Sequence, residues 1–391
     1  MASTRLPGTP RLLRALNDRA ALELLISRGP LTRAQLGELT GLSKVTASQL
    51  VERLEGRGLV TRVGEQAGGR GPNAQLYAVR PESAYVVGVE VGHERVVAAC
   101  ADITGAVIGR VEQSIRDSDD PVGVIHKAVV RVAEEAKAPL SEVRRIVLGT
   151  PGLVDPATGD ITFAFNLPRW HRGLLAALRD DLHIPVVFEN DVNLAAVAEA
   201  RSGAGRGVDD FVLVWVGLGL GLAVVLGGRL HHGSTGAAGE IGYLPVPGAQ
   251  IPRDASRRAK PAFQQIAGAE ALRDVGREYG FPAPSAGEAV RSAIAAGTVG
   301  GPFLDELARR LALGVASTCV VLDPPLVVLA GEVGQAGGSA LAERVQHEVA
   351  AITLVTPRVV PTVVAQEPVL HGALHTALDA VRNEVFGSTV D

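Results

Sequence analysis

Two sets of residues have the types and spacing to do chemistry. The first is Asn166, Asn190, Asp191 and Glu240. Short polar groups of this kind can bond a small molecule at several points when an apolar cleft fixes them. Asn166 follows an apolar strand at a loop, and Asn190-Asp191 stand where a strand meets a helix N-terminus. Glu240 ends a Gly/Ala-rich turn that lets backbone come close. Asp191 has a second reading as the cap of its helix, a common role for Asp. The other set is Ser43, Lys44, Thr46, Ser48, Gln49 and Arg53, expected on one face of a helix. Such a face suits the DNA major groove. Gln49 can bond adenine bidentately, and small Ser and Thr side chains permit close approach. Arg62 and Arg70, on a following hairpin, suit phosphates or the minor groove.

The elements expected to carry the second set are legible in the first 80 residues. Helical spacing of apolar residues runs from Arg11 to Arg28, and Gly29-Pro30 stops it. Thr32 is placed to cap a short helix through Leu39, and Ser43 to cap a third helix. That third helix buries Val45, Leu50, Val51 and Leu54 in this reading. Strands at Leu59–Val63 and Gln75–Val79 flank a Gly/Arg turn at Gly68–Pro72, completing a winged helix-turn-helix. Residues 1–80 hold 12 Lys+Arg and 6 Asp+Glu, a net of +6 in a chain of net −4, so the remainder carries −10. A basic end on an acidic body points to a polyanion partner.

The remaining composition narrows the class. A chain of 391 residues predicts two or three domains, and 47% hydrophobic content excludes a mainly disordered chain. The two cysteines, Cys100 and Cys319, exclude a disulfide scaffold and read as core thiols. No secretory pattern is evident, so a cytoplasmic protein is expected. The charge-free stretch Phe211–Gly228 is interrupted at Gly217, Gly219 and Gly221, and reads as two buried strands instead of a membrane span. His231-His232, taken as strand neighbours, would point to opposite faces and not chelate a metal.

From Tyr85 onward, strands and helices alternate in two comparable halves, which predicts a two-lobed α/β body with an interlobe cleft. Gly149-Thr-Pro-Gly-Leu-Val-Asp155, Asn166-Leu-Pro, Glu189-Asn-Asp-Val-Asn193 and Gly236-Ala-Ala-Gly-Glu-Ile-Gly242 resemble the ROK family of repressors, open reading frames and sugar kinases. That resemblance implies the actin-like ATPase (sugar kinase/Hsp70-type) fold, with Asn166, Asn190, Asp191 and Glu240 as sugar contacts and the Pro151-Gly152 backbone lining the pocket. In the family's kinases the aspartate matching Asp191 is the general base. The expected domains are 1–80, a first lobe at 81–203 completed by a C-terminal helix at 370–387, and a second lobe at 204–369.

The nucleotide half departs from the kinase pattern. The family's Asp-x-Gly-Gly-Thr hairpin stands here as Glu90-Val-Gly92-His93-Glu94. Its Gly-Thr-Gly is Gly217-Leu218-Gly219, and a Gly-Gly pair is Gly331-Glu332. An anionic Glu94 beside a polyphosphate is repulsive. The family's zinc histidine is Tyr243, its cysteine segment is replaced from Ile251 onward, and its closing glutamate aligns with Gln264. Tyr243 and Gln264 either bond a ligand or pack, and no metal and no cofactor are expected. The resemblance therefore implies a DNA-binding regulator, a repressor binding an inverted repeat of double-stranded DNA as a homodimer or tetramer. Its effector would be a small carbohydrate and its catalytic base vestigial. An active sugar kinase, or a regulator with a different effector, are the competing readings.

Overall fold

The computed structural model describes residues 10–67, 73–115, 120–163, 173–251 and 261–387. Three helices open it: α1 (Pro10–Arg28), α2 (Arg33–Thr40) and α3 (Lys44–Gly56). Thr32 and Gln35 form a reciprocal capping box at the start of α2, and Gly41 ends it in the left-handed region. A sheet of β1 (Leu31–Thr32), β2 (Val60–Gln66) and β3 (Ala74–Val79), in the order β1-β3-β2, completes the winged helix. The buried stripe of α3 is Ala47, Leu50, Val51 and Leu54. The expectation for Val45 fails, because this side chain is 67% exposed. Two residues before Ala47 is about 200° around the helix, on the far side from the core.

The first lobe is a sheet of β4 (Tyr85–Val91), β5 (Arg95–Asp102), β6 (Val107–Ser114), β7 (Val143–Thr150) and β10 (Val186–Asn190). A two-stranded ribbon, β8 (Leu153–Val154) with β9 (Ile161–Phe163), stands beside it. The sheet order is β10-β7-β4-β5-β6, parallel where β7 meets β4 and β10. Helices α4 (Pro121–Glu135) and α5 (Leu174–Leu182) cover one face. The other face carries α6 (Asp191–Ser202) and α12 (Pro368–Gly387).

In the second lobe, β11 (Phe211–Val216), β12 (Leu220–Leu226), β13 (Arg229–Leu230), β14 (Leu326–Ala330) and β15 (Arg358–Pro361) form the order β13-β12-β11-β14-β15. Around them lie α7 (Gln264–Ala267), α8 (Ala269–Glu278), α9 (Ala286–Ala295), α10 (Gly301–Leu322) and α11 (Gly331–Ile352). Phe211–Gly228 is thus an antiparallel strand pair, and no described helix is long and apolar enough to cross a membrane.

The chain crosses between the lobes twice, after α6 and before α12. Glu199, fully buried on α6, holds both crossings. Its carboxylate accepts bonds from Ala204 N at 2.6 Å on the first, and from Val363 N at 3.0 Å and Val364 N at 2.9 Å on the second. The Thr362 hydroxyl donates to it as well. A buried carboxylate is tolerable only when so fully satisfied.

Candidate functional site

The winged helix presents Ser43, Lys44, Thr46 and Gln49 as exposed residues, with Ser48 half-buried beside them. Ser43 is extended and its hydroxyl accepts from Thr46 N at 3.2 Å, capping α3 as its position predicts. Arg53 does something else. Its Nε donates to Asp18 Oδ2 at 3.0 Å and a second guanidinium nitrogen bonds Asp18 Oδ1. Asp18 is fully buried on α1, so Arg53 ties α3 to α1 and is not a free cation for DNA. The sequence hides this because the partners are 35 residues apart. Arg62, exposed on β2, pairs with Glu55 at 2.9 Å. Arg70 lies outside the described residues.

In the body, β7 and β10 run parallel, pairing Thr150 with Asn190 and Gly149 with Glu189, which brings their C-terminal ends together. In such sheets the crevice beyond the strand ends is the usual ligand site. Asn190 is the N-cap of α6: its Oδ1 accepts from Val192 N at 2.9 Å and Asn193 N at 3.2 Å. Its Nδ2 donates to Gly152 O at 2.9 Å, fixing a backbone turn where Gly152 has φ +125°. Capping therefore falls to Asn190, not Asp191. Asp191 is the first helical residue, with Oδ1 accepting from Val192 N at 2.9 Å.

Asp191 and Glu240 both have perturbed carboxyls. Burial pushes Asp191 up to about 6, against the pull of its backbone hydrogen bonds. Burial, then the charge of Asp191, pushes Glu240 up to about 7. Burial and the charge of Glu240 also raise the Tyr243 hydroxyl. Asp191, Glu240 and Tyr243 are thus electrostatic neighbours across the two lobes. Gly236 and Gly239 make this approach possible. Both have positive φ, and a Cβ would lie 2.1 Å from Val154 O at Gly236 and 1.9 Å from Leu222 O at Gly239.

Two sequence expectations change here. Gln264, expected either to bond a ligand or to pack, is held by backbone: its Oε1 accepts from Leu220 N at 2.8 Å and its Nε2 donates to Leu218 O at 3.2 Å. The carboxamide braces the glycine turn between β11 and β12 and occupies backbone groups there. His232 was set aside as a strand residue, yet β13 ends at Leu230. Its Nε2 lies 2.9 Å from Glu189 Oε2, a bond between the lobes that raises the imidazole pKa. The other Glu189 oxygen accepts from Asn190 N and Asn193 Nδ2, both at 2.9 Å. The alternation of a longer strand would have concealed this pair, and only the early end of β13 reveals it. Asn166 lies outside the described residues.

In the nucleotide half, burial and then the charges of Glu367 and Asp191 push Glu90 up to about 7, while the Leu370 amide of α12 donates to it. The Glu332 carboxylate is bonded by the hydroxyl of Ser285, the N-cap of α9. Leu218 is 73% exposed at the glycine turn. Cys100 and Cys319 are fully buried, and burial pushes their thiols up to about 12 and about 11. Such thiols are inert at neutral pH. Among the described residues no cluster of three His, Cys, Asp or Glu could hold a metal.

The sequence and the fold both resemble those of known proteins. The ROK family model matches residues 86–379, and the MarR family model matches residues 16–71. A protein of Caldicellulosiruptor sp. assigned as a xylose repressor is 24% identical over 365 residues, 88% of this chain and 91% of that protein. The DNA-binding transcriptional dual regulator NagC of Escherichia coli is 27% identical over 241 residues, 61% of this chain and 59% of NagC. Among solved structures, a ROK family transcriptional regulator homologous to the Escherichia coli MLC protein shares the fold with a TM-score of 0.76. It is 19% identical and covers 97% of this chain and 99% of its own. A ROK hexokinase of Thermus thermophilus, 26% identical with a TM-score of 0.63, covers 76% of this chain and 99% of its own.

Proposed function

The chain belongs to the ROK family, and from that premise we propose that it is a DNA-binding transcriptional repressor whose operator affinity is set by a small carbohydrate. The carrying observation is the union, in one chain, of an exposed polar α3 on a winged helix with two buried carboxyls, Asp191 and Glu240, that sense each other's charge from the two lobes. The names of the relatives, a xylose repressor and a DNA-binding transcriptional dual regulator, support the same reading. DNA contacts are assigned to Ser43, Lys44, Thr46, Ser48 and Gln49, with Arg62 and Arg70 on phosphates. Asp191, Glu240, Tyr243 and the Gly152 turn, with Asn166, form the effector site. Asn190 shapes that site through Gly152. A homodimer would present two α3 helices to an inverted repeat.

α12 is the physical link between the two functions. Its Gly372 packs against α6 so closely that a Cβ would lie 1.9 Å from Leu194 O. Its far end accepts a bond at Val385 O from Arg57 of the winged helix at 2.8 Å, and Arg382 Nε donates to Ile103 O at 3.0 Å. A lobe movement that shifts α6 would carry α12 and so reorient the winged helix. An effector changes DNA affinity only to the extent that it favours one arrangement over the other.

Kinase activity is the second reading, favoured by Asp191, whose carboxyl near 6 suits a general base. Against it stand Glu94, the loss of a hydroxyl at Leu218 and the Gln264 brace on the glycine turn. Phosphoryl transfer depends on groups that hold the phosphates, and these are altered. The test is selection of duplexes from a random pool by the full chain, followed by fluorescence anisotropy with xylose and N-acetylglucosamine among a panel of sugars. A sugar that weakens binding supports the proposal. Sugar-dependent ATP turnover abolished by Asp191→Asn would instead establish the kinase.

A further inference from the structure

We infer that Val45 reads the 5-methyl group of a thymine in the operator. This rests on the DNA-binding reading above. A lone exposed valine is ordinary on a protein surface, but this one has a specific setting. It lies in the first turn of α3, the part of a recognition helix that stands nearest the base edges. Its sequence neighbours Ser43, Lys44 and Thr46 are all exposed, and Gln49, one turn along the same face, is exposed too. No described residue covers it, and its 67% exposure is among the larger values for an apolar side chain of the winged helix.

The chemistry fits one partner. In the major groove the only apolar base feature is the thymine methyl. The polar groups around Val45 are donors and acceptors that would be left unpaired against an apolar protein surface, whereas a base edge satisfies them. A β-branched side chain on a helix holds one χ1 well, so its methyls are presented at low entropic cost. Gln49 is suited to adenine one turn further on, so the pair would favour A·T positions in neighbouring steps.

The experiment uses the full chain and a duplex it selects from a random pool. Each thymine of one half-site is replaced in turn by deoxyuridine, which removes only the methyl. Affinity is read by fluorescence anisotropy at fixed salt, for the wild type and Val45→Ala. The expected result is about a fourfold loss at one thymine, the equivalent of ~0.8 kcal/mol for one buried methyl-sized group. Val45→Ala should lose about the same factor on the normal duplex and show no further loss with deoxyuridine there. The inference is overturned if no deoxyuridine weakens wild-type binding, or if the same penalty persists in Val45→Ala. If the chain selects no duplex at all, the DNA-binding reading itself fails. Ser43 capping is untouched by the change, and an unaltered melting temperature of Val45→Ala confirms that α3 is intact.

Discussion

Removing Arg53 should destabilise the winged helix far more than removing its partner Asp18. The asymmetry follows from burial. Asp18 is fully buried, whereas Arg53 keeps a 32% exposed side chain. Arg53→Ala strands an anion whose nearest other cation is Arg57, 4.0 Å away. A buried charge left without its partner costs about 3–5 kcal/mol. Asp18→Ala loses the same two bonds, but Arg53 can turn to water, so the cost should fall to about 1–3 kcal/mol. In the double variant no stranded charge remains, and stability should recover towards that of Asp18→Ala. Native-state hydrogen exchange of α1 and α3 amides in the full chain reads this directly. A loss of 3 kcal/mol is roughly a 150-fold drop in protection. The reasoning is refuted if Arg53→Ala leaves protection unchanged while weakening binding to every duplex, for Arg53 would then be a DNA contact.

Other perturbations follow from the site. Glu199→Ala should cost about 3 kcal/mol, because four donors at the lobe crossings lose their acceptor; an unchanged melting temperature contradicts the role of Glu199 in holding the crossings. The His232–Glu189 bond raises the folded-state pKa of His232, so its contribution is full below about pH 6.5 and fades as pH rises through the elevated value. Stability of the wild type should therefore fall relative to His232→Gln across that window, as measured by denaturant titration. Glu240 is raised to about 7 in the fold, so its ionisation opposes folding from about pH 4.5 upward, and Glu240→Gln should flatten the decline in stability towards pH 7. Gln49→Ala should relax sequence preference at one position, while Arg70→Ala should weaken binding across sequences and reduce its salt dependence, both read by anisotropy at two salt concentrations.

Much of this organisation was legible because it is written in local chemistry. Thr32 and Ser43 mark helix starts through bonds made within three residues, and the structure places them as expected. The junction at Asn190-Asp191, where a strand meets a helix, was equally plain. What escaped depends on distant partners. Arg53 looks like a groove contact until Asp18 is placed beside it, and the bonds of Gln264 to Leu218 and Leu220 span more than 40 residues of sequence. Val45 was assigned to the core because its residue type outweighed its helical phase. α9 and α11 were missed where alanine and glycine blur periodicity, and β15 because its four residues are bounded by Pro357 and Pro361. In α11, Gly338 breaks the helix at φ +51°.

The central claim is that a sugar at Asp191 and Glu240 and DNA at α3 are coupled through one conformational equilibrium. Linkage requires the effect to be reciprocal. Isothermal titration of the sugar into the full chain, with and without saturating operator, measures it most directly. The account predicts that operator weakens sugar binding by the same factor by which the sugar weakens operator binding, and that Asp191→Asn abolishes both shifts. Equal sugar affinity with and without operator would contradict it.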